Sequence, residues 1–161
     1  MLTSLNRMMG LPVVWQDQQV GFVERAVADV SAGRVAGVVM RKGIGAARWM
    51  PADGILTVGK RCLLLNRPPK RMPRGEPGRL TRAFLTTGEC VGEVTDTLVD
   101  GATLRLLALE VSPGPVYRLA GIRAYADRYR VSQTGQSGDV VLARLLTWAQ
   151  LLNTLGEEDG G

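Results

Sequence analysis

Histidine is absent from this 161-residue chain. Its absence removes the usual general base near neutral pH and the commonest metal ligand. Cysteine is nearly absent as well, with Cys62 and Cys90 the two present. Two thiols without histidine cannot build a zinc site of four cysteines, or of two cysteines and two histidines. They read as small buried or half-buried thiols in a reducing compartment, with a disulfide between two domains as the alternative. No apolar run approaches the roughly 18–20 residues a membrane span requires. The longest, Leu145 to Leu155, is interrupted by Thr147, Gln150, Asn153 and Thr154. The first ten residues, MLTSLNRMMG, lack the apolar core of a signal peptide, so a cytoplasmic protein is expected.

No catalytic, cofactor-binding or metal-binding constellation is legible, and an enzyme is not expected. Asp53 stands in a Pro-Ala-Asp-Gly turn, where Asp is favoured for backbone hydrogen bonding. Asp96 and Asp100 flank a strand and a hairpin, and Asp127 aligns with Lys60 rather than with another acid. Gly135-Gln136-Ser137-Gly138 has the wrong spacing for a nucleophile elbow. Gly43-x-Gly45 opens like a dinucleotide fingerprint, but Arg48 holds the third position and no helical pattern follows. A flexible hairpin loop is the reading there.

What is present in abundance is glycine, 20 residues of it, as many short strands joined by turns would need. Val20-Gly21-Phe22-Val23 recurs as Val91-Gly92-Glu93-Val94, 71 residues later. Around the first copy, Ser4 caps a helical turn ended by Gly10, Pro12–Trp15 forms a strand, and Val20–Val30 forms the long central strand. Arg25 breaks the alternation of that strand and predicts a bulge. Gly21 marks a close approach of another backbone. Around the second copy, Phe84-Leu85 aligns with Val13-Val14, Leu104 with Val35 after a two-residue loss, and Gly121-Ile122 with Gly54-Ile55. Tyr125, Tyr129 and Val131 then align with Val58, Cys62 and Leu64. The spacing falls from 71 to 67 only at predicted loops, as an internal repeat requires. The expected fold is all-β. It has a first small β-barrel over 1–65, a basic Pro/Gly-rich linker over 66–79, a second small barrel over 80–138, a C-terminal helix over 139–156 capped by Asp139, and a disordered tail over 157–161. Gly21, Gly92, Gly54 and Gly121 are its repeat glycines.

The order Ser4-Leu5-x4-Gly10-x-Pro12-Val13-Val14, Val20-Gly21-x-Val23, Gly33-Arg34-Val35-x-Gly37-Val38-Val39 and Pro51-x2-Gly54-Ile55 resembles the PRC-barrel family. Val91-Gly92-x-Val94-x-Asp96 and Gly121-Ile122 resemble it more distantly, and the two copies cover nearly the whole chain. That family is named for the cytoplasmic barrel of the photosynthetic reaction-centre H subunit, and a similar barrel ends a ribosome maturation factor. The resemblance implies six-stranded, partly open barrels that work by binding proteins rather than by catalysis.

Charge and apolar residues supply the candidate surfaces. Residues 1–65 carry a net +4, residues 66–79 another +4, and residues 80–161 a net −3. The positive field therefore sits on the first repeat and linker. A protein-interaction adaptor would use Trp49, Leu145, Trp148 and Leu152, docking a protein partner or a second copy of itself. An RNA- or ribosome-associated factor would use Arg67, Lys70, Arg71, Arg74 and Arg79 on phosphates, extended by Arg34, Arg41, Lys42, Arg48, Lys60 and Arg61. No aromatic residues are interleaved with these cations, which weighs against base stacking. The linker also reads simply as a solvated spacer.

Overall fold

The computed structural model describes residues 1–74, 80–114, 119–132 and 138–159. The chain is mostly β, with a helix near its C-terminus. It divides into two compact units, residues 1–77 with 99–106, and residues 78–98 with 107–161.

In the first unit, β1 (Leu2–Ser4) runs into the single turn α1 (Leu5–Met8). The Ser4 hydroxyl accepts the Arg7 backbone N–H at 3.2 Å, the capping bond its position predicts. Strands β2 (Pro12–Trp15), β3 (Gln18–Asp29), β4 (Arg34–Arg41) and β5 (Arg48–Pro51) follow. After a 3-10 turn (Ala52–Gly54) come β6 (Ile55–Val58), β7 (Leu63–Leu65) and β8 (Lys70–Arg71). The sheet order is β6-β7-β2-β3-β4-β5-β8. Within it β2 and β7 are parallel, with Val13 opposite Leu63. The register of β3 slips between Val23 and Arg25, where the sequence loses its alternation. Val13, Val35, Val38, Met50 and Leu63 have no exposure and form the core.

The second unit contains β9 (Arg82–Leu85), the greater part of β10 (Cys90–Asp100) and of β11 (Leu106–Ser112), β12 (Ala124–Ala126), β13 (Tyr129–Val131), β14 (Val140–Leu142) and α2 (Trp148–Asp159). Its strand order is β12-β11-β10-β9-β14-β13, with β14 parallel to β9. Ala83, Leu109, Val111, Ala126, Val140 and Leu142 are its buried cluster.

Read from the other end, this is the order of the first six strands of the first sheet, β6 to β5, with β8 alone lacking a strand counterpart. Val13 pairs with Gly21 as Ala83 pairs with Gly92, so Ala83, not Phe84, is the counterpart of Val13. Hydrogen bonds repeat as well: Val23 N–H to Leu11 O at 2.9 Å, and Val94 N–H to Thr81 O at 2.8 Å. The spacing between equivalent residues is 70 in β2/β9 and 71 in β3/β10. It becomes 76 in β5/β12, 74 at the start of β6/β13 and 77 in β7/β14. The changes fall at loops and at the β6 bulge. Four alignments expected from sequence are therefore corrected. Gly121 precedes β12 and is not the counterpart of Gly54. Tyr129 corresponds to Ile55, Val131 to Val58 and not to Leu64, and Tyr125 to Trp49. The hairpin loses no residues, because Asp29 Oδ1 accepts Ala32 N–H as Asp100 Oδ1 accepts Thr103 N–H. Leu104 (φ 62) consequently replaces Gly33 (φ 68), not Val35. Leucine is an outlier in that conformation, and burial to 4 % exposure holds it there. Within the first unit, Val35 N–H reaches Leu104 O at 2.8 Å and Leu106 N–H reaches Gly33 O at 2.9 Å.

The helix expected over 139–156 begins later. Val140–Leu142 is a strand, and Asp139 caps nothing helical. A short apolar run has no period to separate strand from helix, and two adjacent valines favour the strand. Helix α2 starts at Thr147, whose hydroxyl accepts Gln150 N–H at 3.2 Å while Gln150 Oε1 accepts Thr147 N–H at 2.9 Å. This is a capping box. The helix runs to Asp159, so residues 157–159 belong to it and not to a tail. Cys62 is half-buried and Cys90 exposed, both free, so burial fails for Cys90.

Candidate binding surfaces

In both units the chain leaves the parallel strand and returns to the far edge of its own sheet. An ion pair steers each return. Arg67 pairs with Asp53 in the first unit, and Arg144 pairs with Asp127 in the second. These are equivalent positions, since Asn66 N–H meets Gly54 O and Ala143 N–H meets Arg128 O, each at 3.0 Å. Asp127 thus aligns with Asp53 and not with Lys60. The second pair is bidentate, with Nε to Oδ1 at 3.1 Å and Nη2 to Oδ2 at 2.7 Å.

The hydrogen bond from Arg144, helped by its charge, holds the Asp127 carboxyl below 3.8 although burial opposes it. A lowered folded pKa contributes stability above the unfolded value, and that contribution is lost as pH falls through the folded value. Arg144→Gln therefore lowers the melting temperature at neutral pH, and the gap from the parent closes as pH falls below 3.8. Thermal melts from pH 7 to pH 2.5 check this. Asp53 is lowered in the same direction by its bond from Arg67, with Lys70 adding to the field.

The return segments themselves have diverged. In the first unit it is β8, where Arg71 lies opposite Arg48 and Lys70 opposite Trp49 on β5. Lys70 and Arg71, expected in the linker, are thus part of the sheet. Pro68 and Pro69 lie just before this strand, where no ladder N–H is needed from them. Arg67 is engaged by Asp53, whereas Lys70, Arg71 and Arg74 are exposed. Arg79 lies outside the described residues. Among the described residues, no ion pair involves Lys42, Arg48, Lys70, Arg71 or Arg74. A cavity of about 420 Å³ opens beside them, with Lys42 and Arg48 in its lining.

In the second unit the return segment is apolar. Leu146 pairs with Tyr125 on β12 through two backbone bonds of 2.9 and 2.7 Å. Helix α2 follows at once. Leu151 has no exposure and anchors it, while the Trp148 ring packs on Tyr125 at 5.2 Å between centroids. Leu145 (38 % exposed), Trp148 (42 %) and Leu152 (43 %) stay open to solvent. Trp148 and Leu152, four residues apart, share one helix face. Tyr125 donates to Glu110, which also receives Thr95 Oγ1 at 2.7 Å and Arg123 Nε at 3.2 Å. Burial raises the Tyr125 phenol, and burial alone pushes Tyr129 to about 12.

Trp49 belongs to the other unit and is half-buried. Its ring crosses Gly37, where a Cβ would sit 2.6 Å from the ring. Sequence reasoning missed the two Asp–Arg pairs and the buried Asp139, whose carboxylate receives Thr81 Oγ1 at 2.8 Å and Arg82 Nη2 at 2.9 Å. No group of three His, Cys, Asp or Glu among the described residues could hold a metal ion. No helix among them is long and apolar enough to cross a membrane. Set against known proteins, the chain matches no family model and no curated sequence.

Proposed function

We propose that this chain is a non-catalytic protein-interaction adaptor, built from two tandem, partly open six-stranded barrels of the PRC type. The shared strand order, the parallel β2·β7 and β9·β14 pairs, and the glycine at one place in each central strand support the barrel reading. The observation that carries the function is the apolar edge of the second unit. Trp148 and Leu152 stand exposed on a helix whose Leu151 is fully buried, and Leu145 is exposed just before it. Tryptophans in such settings concentrate binding energy, and a fixed helix has little entropy left to lose on docking.

The test is affinity capture from lysate of the source cells with nuclease and high salt, using the intact chain and Trp148→Ala/Leu152→Ser. A defined protein held in stoichiometric amount by the intact chain, and reduced at least tenfold by the variant, is the expected result. Equal capture by both, or no protein partner under these conditions, refutes the adaptor. A second copy of the chain as the partner would appear as variant-sensitive self-association in sedimentation. The RNA- or ribosome-associated alternative draws on the basic edge of the first unit, and capture that vanishes with nuclease would favour it.

A further inference from the structure

We propose that the cavity beside the end of β4, in the first unit, is a phosphate-ester site. It is independent of the apolar edge and goes beyond the adaptor reading. Val20, Met40 and Pro69 give it an apolar wall, and Lys42 and Arg48 give it free cationic ends. Arg41 also lines it but is already committed. Its guanidinium holds Glu24 Oε1 at 3.2 Å and the Gly45 carbonyl at 2.8 Å, which braces the 42–46 loop at the cavity rim.

The register of β5 and β8 supplies the second observation. Arg48 and Arg71 are directly opposed on antiparallel strands, so both side chains leave the same face, about 5 Å apart at Cβ. Arg48 also stands opposite Met40, which places the apolar wall beside the guanidinium. Like charges in direct opposition are unfavourable unless something negative lies between them. Planar guanidiniums match phosphate oxygens in pairs. A phosphate group bridging Arg48 and Arg71, with Lys42 beside it and the organic body of the ester on Val20, Met40 and Pro69, satisfies both halves of the site. Arg74, three residues beyond Arg71, extends the charge along the chain. The ester is therefore either a free nucleotide-like monoester or one link of a single nucleic-acid strand.

Binding of adenosine monophosphate, of a ten-residue single-stranded oligonucleotide and of inorganic phosphate tests this at low salt. The intact chain binds at least one ester probe more tightly than inorganic phosphate. Arg48→Ala/Arg71→Ala weakens that binding at least tenfold, while Arg128→Ala/Arg130→Ala, an equal loss of exposed charge in the second unit, changes it less than threefold. If the oligonucleotide is the better ligand, the first variant also flattens the salt dependence by about 1.4 log units per decade, about 0.7 for each lost contact. Preference for the mononucleotide assigns the free ester, and preference for the strand assigns nucleic acid. No binding of either ester, inorganic phosphate binding as tightly as the esters, or equal weakening by the two variants overturns the site.

Discussion

Gly92→Ala destabilises the second unit by about 4 kcal/mol, most of a small domain's stability. Gly92 sits in β10 at φ 143, a conformation side chains rarely adopt. An added Cβ would collide with the Ser112 carbonyl oxygen and lie 2.8 Å from its carbon. Both are backbone atoms of the neighbouring strand, so no rotamer change clears the way. Backbone strain of about 1–3 kcal/mol adds to overpacking of similar size. Gly21→Ala meets the same obstacle in milder form, with the Arg41 carbonyl oxygen at 2.8 Å, and costs about 2–3 kcal/mol. Gly121→Ala is the contrast: φ is 75, nothing lies within 4 Å, and only about 1 kcal/mol of conformational cost remains. Urea titration of the three variants should rank them in that order. Equal effects at Gly92 and Gly121 would contradict the close approach.

Arg82→Ala costs about 3–5 kcal/mol, because it strips the guanidinium from a carboxylate with no exposure at all. Asp139→Asn costs less, about 1–2 kcal/mol. That change removes the buried charge itself, and Arg82, 45 % exposed and stacked over Phe84 at 5.2 Å, keeps access to water. The asymmetry is the test. Replacing the exposed partner should hurt more than neutralising the buried one, as read from denaturant midpoints. The reverse order would mean that the Arg82 charge contributes little to holding Asp139.

How far the sequence could be read depends on where its signals are local. The V-G-x-V strands, the Ser4 cap, the β2 boundaries and the break at Arg25 were legible, because each rests on residues within a few positions of one another. The second half of the second repeat was not. Loops there grow or shrink three times, and a leucine fills the left-handed position that Gly33 marks in the first copy. Gly121 offered a false match because it is a turn glycine, whereas Gly54 lies against the Met50 side chain. Asp53 and Asp127 looked unrelated until the strand registers made them equivalent. The start of α2 could have been found: Thr147-x-x-Gln150 is a capping box in plain view. Asp139 before Val140-Val141-Leu142 outweighed it, although those three residues are the parallel strand that corresponds to Leu63–Leu65. The candidate surfaces were half legible. Exposed cations and a Trp/Leu stretch stand out in sequence, but their common origin as the sheet-edge return, basic in one unit and apolar in the other, needs the paired registers.

The most direct measurement of this division compares two variants for two properties. Trp148→Ala/Leu152→Ser and Arg48→Ala/Arg71→Ala are each assayed for retention of the captured protein and for binding of the phosphate-ester probe. The account predicts a clean crossing, with the first variant losing the protein and keeping the ester, and the second doing the opposite. Loss of both ligands from either folded variant, or loss of neither from both, would contradict it.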